Sequence, residues 1–177
     1  LSAAKDISEH RIMKEELSES ENRFRSLFDH LGDAVFVTKL GGKNKGRILE
    51  ANASASRQTG YTRKQLLKMN IIKDFYIPET GDLSTNEWEK KLEKGELFST
   101  TEKKKRKDGT IYWTEVTITL IDFQGQKAAL SINHDITERI VSEAKLMESR
   151  EHFRDLIEQA GDALFLFDFD GNIIQVN

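Results

Sequence analysis

Between His10 and Leu31 the apolar positions are Met13, Leu17, Phe24, Leu27 and Leu31, with Ser20 in the vacant place. Steps of 4, 7, 3 and 4 residues trace a narrow seam of 3.5-residue period on a helix whose other positions are mostly Glu, Lys, Ser and Arg. For Met13 to Ser20 two readings stay open, a face packed on its own domain or a coiled-coil seam with a second copy. Phe24 to Leu31 is expected to dock on the domain. Beyond Gly32-Asp33 the period changes to that of strands. Ala34 to Thr38 is a short apolar, β-branched run, Gly41 to Gly46 a turn, and Arg47 to Glu50 the returning strand. Asn52 predicts an N-cap for a helix over Ala53 to Gln58, closed by Gly60, and Thr62 caps another over Arg63 to Met69. Asn70 to Thr80, with the only proline at Pro78, is expected as a loop, and Thr85 to Lys94 as a helix stopped by Gly95. Three strands follow, Leu97 to Lys105, Thr110 to Asp122 and Gln126 to Asn133, joined by turns at Asp108-Gly109 and Gln124-Gly125. Two strands, short helices, then three strands predict an α+β fold with an antiparallel sheet.

Asp135-Ile136-Thr137-Glu138 ends the last of these strands and opens a helix over Arg139 to Ala160. An acidic cap three residues before a glutamate forms a capping box, and Asp6-Ile7-Ser8-Glu9 repeats it 129 positions earlier. The repeat continues at the same offset. Leu17 matches Leu146, Phe24-Arg25 matches Phe153-Arg154, Gly32-Asp33-Ala34 matches Gly161-Asp162-Ala163, and Phe36 matches Phe165. A period of this length is that of a domain with its linker. The chain therefore reads as one whole unit flanked by the tail of one copy and the head of another.

Composition narrows the function. At 177 residues, 37% hydrophobic and 32% charged, the chain suits a globular core with exposed charged helices. A net charge of −3 argues against a dedicated nucleic-acid binder. With no cysteine there is no disulfide, thiolate metal site or thiol nucleophile. No apolar run approaches membrane-spanning length, so a soluble, cytoplasmic segment without direct membrane contact is expected, with any anchor elsewhere in the parent.

Five pieces in order carry a family resemblance: Gly32-Asp33-Ala34, Glu50-Ala51-Asn52, Thr59-Gly60-Tyr61-Thr62, Lys107-Asp108-Gly109-Thr110 with Tyr112-Trp113, and Asp135-Ile136-Thr137-Glu138-Arg139. Together they resemble the PAS domain family. The resemblance implies a five-stranded antiparallel sheet with helices over one face, flanked by amphipathic linker helices. It implies these boundaries: 1–9 the tail of a preceding unit, 10–22 a linker helix, 23–138 a complete PAS domain, 139–151 a linker helix and 152–177 the start of a following unit. It also implies a small pocket, whose expected wall is Phe36, Ile48, Leu66, Phe75, Trp88, Leu92, Thr114, Val116, Ile118, Leu130 and Ile132. That wall is apolar but for one hydroxyl, so no cofactor is expected, and a small apolar ligand is the alternative to a filled core. Haem would call for a histidine on the helix Thr85 to Lys94. His10, His30, His134 and His152 all lie elsewhere, and cysteinyl flavin is excluded by composition.

No phosphate loop, metal-binding run or nucleophile–base pair is visible, so no catalytic residue is assigned and the segment is expected not to be an enzyme. Lys103-Lys104-Lys105-Arg106-Lys107 is expected to be a solvated strand end. Asp82, Glu87, Glu89 and Glu93 are expected to face solvent. The functional expectation is a sensory and dimerising module, with Met13, Leu17 and Phe24 as the seam of a parallel homodimer. Asp135, Ile136, Thr137 and Glu138 are expected to relay a stimulus to an output domain, a histidine kinase first. A ligand or cofactor receptor, or a module of a cyclic-dinucleotide enzyme, is the alternative.

Overall fold

The computed structural model describes residues 2–75, 77, 87–159 and 165–176, in two compact units, 1–136 and 137–177. The first unit opens on α1 (Ser2–His30), a single helix. The cap expected at Asp6 lies inside it, because Ala3, Ala4 and Lys5 are strong helix formers and neither glycine nor proline precedes Gly32. Next come β1 (Ala34–Lys39), β2 (Ile48–Ala51), α2 (Ala53–Thr59), α3 (Arg63–Leu66), α4 (Ile71–Asp74) and α5 (Glu87–Glu93). The unit ends with β3 (Phe98–Lys105), β4 (Ile111–Phe123) and β5 (Gln126–Asp135). The strands form one antiparallel sheet in the order β2-β1-β5-β4-β3, so the expected α+β fold is the observed one.

The caps follow their side chains. Asn52 Oδ1 accepts from Ala55 N and Val35 N, while its Nδ2 donates to the carbonyls of Phe28 and Asp33, so one buried amide ties α1, β1 and α2. Thr62 and Gln65 form a reciprocal capping box on α3. That helix stops at Leu66 rather than Met69. The stretch expected as a loop from Asn70 instead begins with α4, because Asn70 Oδ1 accepts from Ile72 N and Lys73 N. Pro78, Asp82 and the first two residues of the helix expected over Thr85 to Lys94 lie outside the described residues.

Two apolar clusters form the core against the sheet. Phe36, Ile48, Leu66 and Phe75 share one with Ala34, Ala51 and Ala55. Trp88, Leu92, Val116 and Ile118 share the other with Ala129. Leu130 and Ile132 leave the expected wall. Successive strand residues point to opposite faces, and the buried alternates on β5 are Ala129, Ser131 and Asn133. Leu130 is half-buried and Ile132 is 42% exposed, on the opposite face of the sheet.

At the end of α1, Phe28 is 7% exposed and Asp29 Oδ1 accepts from Ala53 N. Phe24, Leu27 and Leu31, expected to dock, are 55, 68 and 48% exposed. Phe28 lies off the heptad seam, so the helix docks by a different face and the apolar stripe continues outward past Met13 and Leu17.

The second unit holds α6 (Thr137–Glu158), beginning two residues before the expected Arg139, and a hairpin of β6 (Phe165–Phe167) and β7 (Ile173–Val176). Asp168 closes its turn by accepting from the backbone N–H groups of Asp170 and Asn172. β6 falls on β1 at the repeat offset of 129, and β7 answers β2 at an offset of 125, because the turn of the first copy is four residues longer. Gly161-Asp162-Ala163 lie outside the described residues.

Candidate functional site

Inside the sheet, between the two apolar clusters, runs a band of buried polar side chains. β3 contributes Glu102 and Lys104, β4 contributes Tyr112 and Thr114, and β5 contributes Ser131 and Asn133. Strand alternation explains how a lysine from an exposed basic run enters the core. Lys103 and Lys105 point one way and Glu102 and Lys104 the other. Glu102 is 1% exposed and Lys104 4%, so the expectation of a fully solvated run fails at Lys104.

A buried ammonium needs partners. Lys104 Nζ donates to Asn133 Oδ1 at 2.5 Å and stands 3.5 Å from Glu102 Oε2. Asn133 Nδ2 donates in turn to Ser131 Oγ at 3.1 Å. Burial pushes the lysine pKa down, and the attraction of Glu102 opposes that shift. The band borders a cavity of about 40 Å³ lined by Thr38, Trp88, Glu102, Lys104 and Ser131 together with apolar side chains that include Val116 and Ile118. Of the expected wall residues, Trp88, Val116 and Ile118 reach this cavity. Thr114 is fully buried but does not line it, and Phe36, Ile48, Leu66, Phe75 and Leu92 are core. The cavity's polar side was missed. The signal was Glu102-x-Lys104 on a strand, where two opposite charges share one face.

Two residues beyond Lys104, Arg106 donates to Asp135 Oδ2 at 2.6 Å, donates to the Gln58 carbonyl, and lies over the Tyr112 ring at 4.1 Å. Asp135 is the last residue of β5. Ile136 is buried and its N–H donates to the Trp113 carbonyl at 3.0 Å. Thr137 and Glu138 are the first residues of α6.

A second charged node fastens α1. Glu50 accepts two bonds from Arg25 and two from Arg63, at 2.6–3.2 Å, and one from Ala51 N. Burial pushes this carboxyl up, but the bonds from Arg25 and Arg63 outweigh it and hold the pKa below the ordinary glutamate value. Glu89, expected to be free in solvent, pairs with Lys45 at 3.0 Å, and Lys45 also lies over the Trp88 ring. Glu93 is exposed as expected, and Asp82 and the side chain of Glu87 lie outside the described residues. Among the described residues, no group of three His, Asp or Glu side chains is placed to hold a metal ion, and no helix is long and apolar enough to cross a membrane.

The sequence profile of the family described as "PAS domain" matches residues 32–138, and a second PAS profile matches 151–177. The chain belongs to the PAS domain family. It is 30% identical over 131 residues to the methyl sulfide methyltransferase-associated sensor of Methanosarcina acetivorans, covering 74% of this chain and 13% of that protein. It is 29% identical over all 177 residues to Sporulation kinase E of Bacillus subtilis, of which it spans 23%. Among solved structures it is similar to a PAS domain from a two-component sensor histidine kinase. That match has a TM-score of 0.53 and 25% identity, and covers 67% of this chain and 98% of the other. Similarity to a sensor and a kinase places this PAS domain among sensory modules. The second profile begins within α6, so the β6–β7 hairpin falls in a further PAS match.

Proposed function

We propose that this PAS domain is a sensory and dimerising module that relays a change at the inner face of its sheet through Asp135–Glu138 to an output domain. One observation carries the reading. Two long side chains of β3 and its end reach across β4 to β5: Lys104, which lines the cavity, holds Asn133, and Arg106 holds Asp135, the last residue of β5. In this reading a displacement at the cavity passes through these two contacts along β5 to Asp135. A histidine kinase is the favoured output, because the similarity to Sporulation kinase E runs the length of the chain. A cyclic-dinucleotide enzyme is the alternative and leaves the relay unchanged.

The test is Asp135→Ala, with Arg106→Gln beside it, in the full-length parent. Allosteric couplings of 1–3 kcal/mol correspond to about 5–150-fold changes, so output should depart from its resting level by at least about fivefold while circular dichroism and sedimentation stay native. A folded variant whose output follows the native protein reduces Asp135 to a structural ion pair.

A further inference from the structure

The two long helices carry one apolar stripe twice. α1 holds Leu17, Phe24 and Leu27, and α6 holds Leu146, Phe153 and Leu156, each 129 positions later. All six are exposed. Ser20 and Ser149 fill the same place between the leucine and the phenylalanine. The residue that follows each stripe, Phe28 in α1 and Ile157 in α6, is buried, so both helices leave the corresponding face uncovered.

The charge beside the stripe is what differs. With Leu17 and Phe24 at a and Ser20 and Leu27 at d of a heptad, the flanking g and e places hold Glu16 and Glu21. The same places of α6 hold Lys145 and Arg150. The repeat keeps the stripe and inverts the charge along it. All four side chains are exposed, and none is held in an ion pair among the described residues, whereas Glu15 and Glu19 are paired with Arg11 and Arg23.

In a parallel pair of helices, a g side chain faces the e side chain five places on in its partner, and these contacts set partner choice. Two α1 helices in register set Glu16 against Glu21. Two α6 helices set Lys145 against Arg150 and Glu138 against Glu143. Like charges so placed oppose association and exclude that partner. One α1 beside one α6 sets Glu16 against Arg150, Glu21 against Lys145 and Lys14 against Glu138. All three pairs are opposite in sign, and leucine meets leucine and phenylalanine meets phenylalanine along the seam.

We infer that the α1 stripe of one copy takes the α6 stripe of a second copy, parallel and in the register of the repeat. The inference rests on the dimerising reading and names the helix that partners the α1 seam. The flanking charges select it.

Losing one exposed ion pair shifts association by no more than about fivefold, so the test reverses both flanks of a helix. In the 177-residue chain, Glu16→Lys with Glu21→Lys gives both helices basic flanks, and Lys145→Glu with Arg150→Glu gives both acidic flanks. Each double variant alone should associate at least tenfold more weakly than the native chain in sedimentation at low salt, with an unchanged circular dichroism spectrum. Mixed in equal amounts, the two should recover native association to within about threefold, because each supplies the flank the other lacks. The fourfold variant should recover it too, and added salt should shrink the differences. An α6-reversed chain that associates like the native one sets α1 against α1, which overturns the inference and leaves the dimerising reading standing. Loss in both double variants without recovery in the mixture also overturns it. A native chain that stays monomeric at high concentration removes the dimerising reading and the inference with it.

Discussion

Glu50 concentrates more charge-assisted bonds than any other carboxylate described above, and it does so at a junction. Arg25 comes from α1 and Arg63 from α3, so a single side chain on β2 fastens both helices to the sheet. Its depressed carboxyl pKa makes the junction pH-dependent, with a definite sign. A group whose pKa is lower in the folded state stabilises the fold above the ordinary glutamate range, and that contribution fades as the pH falls through the folded value. The two arginines are more than a third exposed, so solvent screening keeps the effect modest. Glu50→Gln should lower stability by about 1–2 kcal/mol at neutral pH. Its melting temperature should then fall less than the native one between about pH 5 and pH 3. Parallel pH profiles for the two proteins count against the junction. Glycine positions were easier to foresee than this node. Gly109 (φ 90°) ends a turn closed by Arg106 and Thr110, and Gln124 (φ 55°) with Gly125 (φ 75°) makes the tight two-residue turn between β4 and β5.

At the scale of elements, α1 separates what docks from what is displayed. Phe28 is buried against the domain and stacks on Phe24 at 5.5 Å, whereas Leu27 is 68% exposed. Phe28→Ala should destabilise the first unit by about 3 kcal/mol, and Leu27→Ala by less than about 0.5 kcal/mol in the monomer. Denaturant melts at low protein concentration read the contrast, and equal losses would place the docking face wrongly. Here the reach of sequence reasoning is clear. The succession of strands along the chain, the turns and most caps were legible because each depends on local chemistry: Asn52 and Thr62 as caps, Gly60 as a stop, Gln124-Gly125 as a turn. The faces of β5 were not legible. Its apolar residues, Leu130 and Ile132, occur at strand period and suggest an inward face, yet the inward positions hold Ser131 and Asn133. They are polar because Lys104 arrives from β3, and a contact spanning 29 positions leaves no trace in the local pattern of either strand. Lys104 was hidden for the same reason, as one member of a run that a strand divides between two faces. Glu89 and Lys45 likewise meet only through the fold.

For the whole molecule, the unspent feature is the stripe on α1. Met13 and Leu17 are 63 and 61% exposed, and with Phe24 they keep the 3.5-residue period that suits a second helix rather than a globular surface. Polar residues flank them, and Arg11–Glu15 and Arg23–Glu19 pair along the helix at i, i+4, which stiffens it without covering the stripe. A parallel homodimer would bury the stripe and set two copies of the domain side by side, giving a shift at each Asp135 a partner to move against. Leu17→Glu places a charge at the centre of the proposed seam, where burial without a partner costs several kcal/mol. The native chain should sediment as a dimer at micromolar concentration, and Leu17→Glu should weaken the dimer by at least about a hundredfold, as about 3 kcal/mol requires. Glu16→Gln, adjacent in sequence but off the stripe, should leave the dimer intact. A native chain that stays monomeric at high concentration removes the seam. Equal weakening by both substitutions moves the interface to another face of α1.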